Sequence, residues 1–364
     1  MPKKITFILS SPGGGGSERV AVNIANRLVA KGWNIDLVCM NFKRKEYLGE
    51  ISKKVNLVNL SISRFALSFF GIRSYIKKNK VTHILSFHYL FSVQLVLIRL
   101  LLKNKFKIIS RNNTFLSLEE KYYFKNKIFK YFLFVIVKFL YPKVDYLIAQ
   151  CKEMKKDLIQ NYNFKRKKIK VIYNPVNYKI ENSYKKMKKK KDNFILMVGR
   201  LNKYKGYDVA IKVFTKIKKK FPMLKLKISG KGEEKKFLED LANKYGVKES
   251  VEFLGFKKDL STLYKKAKLT LLTSSYEGFP NVLIESITLG TPVVSFNCPV
   301  GPSKIIKNGV NGYLVKLHDE NMLEEKIIET LSIKWNKNIV NQSAYIYKNK
   351  NIITEYEKML DKFI

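Results

Sequence analysis

The segment SSYEGFPNVLIESITLGTPVVSF, residues 274–296, holds two glutamates, Glu277 and Glu285, with seven residues between them. Pro280 or Asn281 opens a helix here, because a proline fits the first turn, where its missing N–H costs nothing. The helix runs on through Val282, Leu283, Ile284, Ile287 and Leu289. Gly290 stops it, Pro292 blocks continuation, and Val293, Val294 and Phe296 form a buried strand. Glu277 therefore lies in the loop before a helix, and Glu285 about one turn inside it. In a parallel α/β unit such a loop opens at the carboxyl ends of the strands, where free N–H groups attract anions. Carboxylates beside an anion site accept hydrogen bonds from ribose or sugar hydroxyls, which suits a nucleotide-sugar better than a bare phosphate. The competing reading is one solvated Glu and one exposed helix charge, and spacing alone does not choose.

Basic residues stand at a second strand end. Val198-Gly199-Arg200-Leu201 closes a strand, and Lys205-Gly206 precedes a helix. Strand ends face the ligand crevice, so Arg200 and Lys205 can reach one anion, the first with planar paired donors and the second with a compact charge. Gly230 and Gly232, after the following strand, let backbone pass near a nucleotide or merely turn a loop. Near the N-terminus, SPGGGGS stands between a strand at 4–10 and a helix at 18–30, an order that makes an anion cradle because glycine removes the Cβ that blocks a phosphate. The run matches neither G-x-x-x-x-G-K-[ST] nor G-x-G-x-x-G, and a tight turn accounts for four glycines equally well.

These loops need two α/β frameworks. Apolar runs at 4–10, 35–40, 81–86, 107–110, 146–149 and 170–173 alternate with helical stretches. A second alternating series follows, with strands at 194–198, 224–229, 251–254, 269–273 and 292–296. After Asn174-Pro175 the composition shifts to ENSYKKMKKKKDN, read as an exposed linker over 176–192. Two such series with right-handed crossovers predict two doubly wound, Rossmann-like sheets facing a cleft, one domain at 1–175 and the other at 193–343.

Composition bounds the reading. A chain of 364 residues with 46 % hydrophobic residues is long enough for two such cores. Cys39, Cys151 and Cys298 are far apart and odd in number; they form no disulfide framework or metal-ligand pair, which fits a reducing cytoplasm. The N-terminus reads as a first strand rather than a signal peptide, and the apolar stretches at 91–102 and 131–137 are too short to span a bilayer. The formal net charge of +42 implies anionic partners. The run at 185–191 is dense in lysine, and 121–143 mixes Lys with Tyr, Phe and apolar residues, a surface suited to anionic lipid. A lysine-biased proteome decorating solvated faces is the plainer account. Nucleic acid is not expected as a partner, since no zinc-finger, RNA-recognition or helix-turn-helix signature is present.

The motifs together are specific. SSYEGFPNVLIESITLGTPVV, preceded by VGRLNKYKG and ISGKGEEK, closely resembles the donor-binding half of family 4 glycosyltransferases, retaining enzymes of the GT-B fold. The resemblance is strong over about residues 192–330 and weaker at GGGGSER. It implies that Glu285 grips the donor ribose, Glu277 lies near the transferred sugar, and Arg200 and Lys205 stabilise the departing diphosphate. It also implies that Gly15 and Gly16 approach the donor phosphate, that backbone N–H groups of Phe279 and Asn281 help while Pro280 donates none, and that a C-terminal helix at about 344–364 returns to the first domain. Gly230 belongs with these donor contacts. The resemblance further implies retention at the anomeric carbon by a front-face route in which the leaving phosphate helps deprotonate the acceptor; Glu277 acting as a nucleophile is the competing idea. No carboxylate pair suited to a metal–diphosphate bridge stands out, so no metal or other cofactor is expected.

Two departures matter. Many relatives carry a His in the first domain where this chain has SRNNTF, so that loop, with Arg111, Asn112 and Asn113, becomes the candidate for sugar or acceptor, Arg111 and Asn112 first, with His88 the nearest imidazole in sequence. In GPSKIIKNG, Lys304 replaces the usual Glu. GGGGSER, SRNN, IYNPV and NCPVGPSKII resemble bacterial transferases that extend lipid-linked surface glycans. That implies a UDP-sugar donor (UDP-N-acetylgalactosamine, UDP-galactose or UDP-N-acetylglucosamine), a polyprenyl-diphosphate glycan acceptor, and peripheral association with the inner face of the cytoplasmic membrane. The rival readings are a UDP-N-acetylglucosamine 2-epimerase-like GT-B enzyme and a non-catalytic basic protein bound to membrane or nucleic acid.

Overall fold

The computed structural model describes residues 3–102, 105–123, 127–184 and 191–363, and side chains for all of these except 120–123 and 127–130. Most of the lysine run, residues 185–190, lies outside them. The chain forms two compact units, Met1–Pro175 with Asn349–Ile364, and Val176–Lys348.

The first unit is built on β1 (Lys4–Leu9), β2 (Asn34–Cys39), β3 (Asn56–Asn59), β4 (His83–Ser86), β5 (Lys107–Arg111), β6 (Tyr146–Ala149) and β7 (Ile169–Val171). They pair in the order β3-β2-β1-β4-β5-β6-β7, and every recorded pairing is parallel. Strands buried on both faces must be apolar along their length, and β1 is buried at every position after Lys4. The helix Gly16–Val29 packs Val20, Ile24 and Leu28 against Phe7 and Leu37. The C-terminal helix Asn349–Leu360 adds Ile352, Ile353, Tyr356 and Met359 to the same core.

The second unit holds β8 (Phe194–Val198), β9 (Lys225–Ser229), β10 (Val251–Gly255), β11 (Leu269–Leu272), β12 (Val293–Phe296) and β13 (Gly312–Val315), in the order β10-β9-β8-β11-β12-β13, also parallel. Its core joins Ile195, Met197, Leu226 and Leu271 to Ala210, Ile211 and Phe214 of the helix Tyr207–Lys220. Two doubly wound parallel sheets make this an α/β protein of two Rossmann-like units.

The strands expected from the apolar runs are present, with ends shifted by a residue or two. The edge strands β3 and β13 lie outside the expected runs; both are only partly buried, so no continuous apolar run marks them in the sequence. From residue 176 the chain is not the exposed linker that its composition predicts. Val176 and Ile180 are buried, and the helix Tyr178–Ser183 is capped by Asn177, whose side chain accepts from the N–H groups of Lys179 and Ile180. At the other end, the return to the first unit begins at Asn349 rather than 344, because Tyr347 is buried beside Phe279 in the second unit.

Candidate active site

Each sheet reverses its strand order once, between β1 and β4 in the first unit and between β8 and β11 in the second. The carboxyl ends of the strands at such a point open a crevice, because the following connections leave to opposite sides. The candidate residues gather at these two places.

In the second unit, β8 delivers Arg200, and the turn Lys203–Lys205 delivers Lys205. Gly206 ends that turn with φ 63°. A Cβ there would overlap the carbonyl oxygen of Thr273, so glycine is required both by conformation and by close approach. Thr273, just past β11, reciprocates by donating its hydroxyl to the carbonyls of Lys205 and Gly206, at 3.0 and 2.7 Å. The two loops are thus tied together, and the tie brings Lys205 onto Glu277.

Lys205 Nζ lies 2.5 Å from Glu277 Oε1, and Ser274 Oγ donates to the same oxygen at 2.6 Å. The pair is largely enclosed, with 24 % of the Lys205 side chain and 11 % of the Glu277 side chain exposed. Its field reaches buried neighbours. Burial first, and then the Glu277 charge, hold the Tyr207 phenol well above its usual pKa. The same two causes push the Cys298 thiol up to about 12, against a lowering by Lys205. Sequence spacing placed Lys205 with Arg200 as a pair of cations for one anion. The structure couples Lys205 to the Glu277 carboxylate and leaves Arg200 exposed at the strand end.

The helix Asn281–Thr288 begins at the expected place, with Pro280 as its extended cap residue. Glu285 is one turn in and only 4 % exposed. It lies at i+4 from Asn281, and helical side chains lean toward the N-terminus, so its carboxylate belongs to the opening end of this helix. Phe279 and Pro280 are buried; Phe279 packs edge-on to Tyr347, and the Gly301 turn approaches the Pro280 ring. A Cβ on Gly230 would overlap the carbonyl oxygen of Gly199, so this glycine lets the loops after β8 and β9 meet. Lys304 sits in the short helix Pro302–Ile305, and its carbonyl accepts from the Tyr347 hydroxyl at 3.0 Å.

In the first unit, Gly15 is the extended cap and Gly16 the first residue of the helix Gly16–Val29, so free N–H groups open at the end of β1. Segment 44–47 braces the glycine loop. Tyr47 N–H donates to the Pro12 carbonyl at 3.0 Å, and Arg44 lies where a side chain on Gly14 would go. Beyond β4, the His88 ring stacks on Tyr89 with centroids 4.7 Å apart, and its Nδ1 accepts from the Leu90 N–H at 3.2 Å. Burial lowers its pKa to about 4, so the ring is neutral at pH 7, with its proton on Nε2.

The loop after β5 corrects an expectation. Arg111 and Asn112, the sequence candidates for sugar or acceptor, are interior. Arg111 is 1 % exposed; its Nε donates to Tyr356 Oη at 3.1 Å, its Nη2 donates to Asn174 Oδ1, and its guanidinium lies 5.7 Å from the Phe87 ring centroid. Asn112 donates to the Thr114 carbonyl at 2.6 Å and accepts from Tyr141 at 3.3 Å. The next residue, Asn113, is the one beside the glycine loop. Its Nδ2 donates to Ser17 Oγ at 3.1 Å, while its buried Oδ1 has no partner among the described residues. Nothing in SRNNTF distinguishes the three, since only the strand register decides which side chains turn inward.

Comparison with known proteins decides what this arrangement belongs to. Residues 179–350 match the family of group 1 glycosyl transferases, and residues 14–179 match glycosyltransferase family 4. An uncharacterized glycosyltransferase of Haemophilus influenzae is 30 % identical over 89 % of this chain and 88 % of its own. The chain belongs to the family 4 glycosyltransferases. A second relative of these transferases, from Campylobacter jejuni, is 28 % identical over 96 % of this chain and 95 % of its own; it is named as an α-1,4-N-acetylgalactosaminyltransferase of a GalNAc-GalNAc-diNAcBac-diphosphoundecaprenol. Among solved structures, Anabaena Alr3699/HepE in complex with UDP-glucose superposes with a TM-score of 0.79 at 19 % identity, over 99 % of both chains. The lipopolysaccharide outer core galactosyltransferase WaaB has a TM-score of 0.72 at 21 % identity, covering 99 % of this chain and 100 % of that one. At those identities the likeness speaks for the fold, which is GT-B.

Proposed function

We propose that this glycosyltransferase moves a hexosyl group from a UDP-sugar to a polyprenyl-diphosphate-linked glycan, with retention at the anomeric carbon. The observation that carries the reading is the Lys205–Glu277 pair, standing with Arg200 and Glu285 around one strand-order reversal. The lipid-linked acceptor is supported by the name of the Campylobacter jejuni relative, and the uridine donor by the UDP-glucose complex of the Anabaena neighbour.

In this reading Glu285 accepts from the donor ribose hydroxyls, and Gly230 allows backbone close to the nucleotide. Arg200, Lys205 and the N–H groups of Phe279 and Asn281 face the diphosphate, whose charge grows as the bond from C1 to the β-phosphate oxygen breaks. In the first unit, the loop at Gly15 and Gly16 offers backbone N–H groups suited to a phosphate. The acceptor hydroxyl attacks C1 from the departing side, its proton passes to the leaving phosphate, and the products are UDP and an α-linked glycan. Glu277, held in place by Lys205 and Ser274, stabilises positive charge on the sugar ring. Its Oε1 is already engaged by both partners, which favours this supporting role over nucleophilic attack. Asn113 and His88 are the acceptor-side polar groups. No metal is required, since cationic side chains and N–H groups carry the diphosphate charge; the protein works peripherally at the inner face of the cytoplasmic membrane.

The test is incubation with a panel of nucleotide-sugars, with and without a detergent-dispersed polyprenyl-diphosphate glycan, followed by nucleotide detection and NMR of the product. UDP release that depends on the acceptor, with an α linkage, is expected. Preference for a guanosine or adenosine donor, a β linkage, or an epimerised sugar with no transfer would overturn the corresponding part.

A further inference from the structure

Three helices of the first unit, each 14 residues long, share one chemistry. Phe65–Lys78 (FALSFFGIRSYIKK), Tyr89–Leu102 (YLFSVQLVLIRLLL) and Lys127–Leu140 (KIFKYFLFVIVKFL) contain no Asp or Glu between them. The first packs on the second and the second on the third. They follow β3, β4 and β5 in sequence, so right-handed crossovers put them on one face of the sheet, opposite the helix Gly16–Val29. Other helices of the unit do carry acidic residues, Glu119 on Leu116–Tyr123, Glu153 and Asp157 on Lys152–Asn161, and Glu18, Glu355 and Glu357 on the two helices of the opposite face, so the acid-free surface is that of these three helices alone.

The outer surface of the three helices is apolar where solvent should select polar residues. On the first, Leu67, Phe70, Arg73 and Lys77 follow one another at helical spacing along one exposed stripe. On the second, Leu97, Leu100 and Leu101 form another, with Leu101 66 % exposed. On the third, Tyr131, Phe132 and Phe139 stand out, the last 69 % exposed. Soluble proteins rarely leave such contiguous patches uncovered. Among the described residues no helix is long and apolar enough to cross a membrane, so these helices can lie along a bilayer but not through it.

A cavity of about 430 Å³ opens at the C-terminal ends of the first two helices, with Lys77, Lys80 and Lys105 around apolar walls that include Leu102 and Phe106. Among the described residues lining it, none is acidic. Three ammonium groups over an apolar floor match a phosphate diester carried on acyl chains, the charge held by lysine and the chains received by the leucine stripe.

We propose that the outer surface of these three acid-free helices docks on an anionic phospholipid bilayer, with Lys77, Lys80 and Lys105 holding a lipid phosphate. The proposal rests on the reading of the acceptor as lipid-linked, and it names the surface that brings the enzyme to such an acceptor.

The test is cosedimentation of the full chain with vesicles of phosphatidylcholine alone and of equal parts phosphatidylcholine and phosphatidylglycerol. The wild type is expected to bind the anionic vesicles at least about tenfold more tightly than the neutral ones. The variant Lys77→Glu/Lys80→Glu/Lys105→Glu should lose most of that preference, and Phe70→Ser/Leu100→Ser/Leu101→Ser should weaken binding to both vesicle types. A control with the same charge change elsewhere, Lys218→Glu/Lys219→Glu/Lys220→Glu, should bind as the wild type does. Equal loss in the control would mean that net charge alone attracts the protein, and would overturn the assignment. So would absence of wild-type binding, or a dimer that Phe70→Ser/Leu100→Ser/Leu101→Ser dissociates, which would make the face an interface between copies. All variants should keep the wild-type thermal melt. UDP release with detergent-dispersed acceptor should be unchanged in them; that assay reads the transferase reaction separately, so the two readings can fail independently.

Discussion

Lys205 Nζ and Glu277 Oε1 stand 2.5 Å apart although seventy-two positions separate them in the chain. The contact exists because β8 and β11, which deliver them, are paired neighbours in the sheet. It makes the basic and acidic parts of the site one electrostatic unit, in which each residue fixes the position of the other.

That coupling should be measurable. Removing one partner of a mostly enclosed ion pair leaves the other desolvated without compensation, so Lys205→Met is expected to destabilise the protein by about 2–3 kcal/mol in urea unfolding. Adding Glu277→Gln should restore part of that loss. Transfer should not recover, and kcat is expected to fall by about a hundredfold or more in each variant. Additive stability losses in the double variant would show that the two residues do not act as a unit.

Glu285→Ala is expected to weaken binding of UDP, measured by calorimetry, by about tenfold or more, as for loss of a hydrogen bond to a charged group. Uridine monophosphate should lose affinity alike, because the ribose is common to both. An unchanged affinity would remove Glu285 from the nucleotide site.

Arg111→Ala should act on stability and not on the donor. The guanidinium ties β5 to Tyr356 on the C-terminal helix and to Asn174, and its loss leaves both groups buried with a void between them. A cost of about 3 kcal/mol is expected, with UDP affinity unaltered in the folded protein. Asn113→Ala should behave in the opposite way, raising the KM for acceptor while the denaturation midpoint stays near the wild-type value.

His88 supplies a pH dependence whose sign is fixed. Its pKa is lowered from 6.5 to about 4 by burial in the folded protein, so between those values the unfolded chain binds a proton that the folded chain does not. Stability is therefore lost as pH falls from 6.5 toward 4, by up to about 3 kcal/mol. His88→Phe should flatten that part of the stability profile.

Chelation is the last prediction. Transfer should persist in excess EDTA, measured as UDP release, if, as proposed, Arg200, Lys205 and backbone N–H groups meet the diphosphate charge. Loss of activity that only a divalent cation restores would refute the metal-independent reading.

The sequence by itself determined a good deal here. Apolar runs of five or six residues alternating with helical stretches specify parallel strands buried on both faces. Pro280 and Gly290 bracket a helix by rules that act within a turn of chain, and the placement of Glu277 before it and Glu285 within it follows. The tertiary structure decided everything that depends on which strands become neighbours. Strand order put Lys205 on Glu277, a contact that spacing along the chain does not show. Strand register turned Arg111 and Asn112 inward and left Asn113 beside the glycine loop, a choice that three consecutive polar residues do not encode. Packing also took Val176 to Ser183 out of the expected linker, since burying Ile180 outweighs a polar composition that local rules read as solvent-exposed. Local signals fix elements because propensity and capping act over a few residues, whereas a site assembled from distant strand ends is fixed only when the sheet closes around its core.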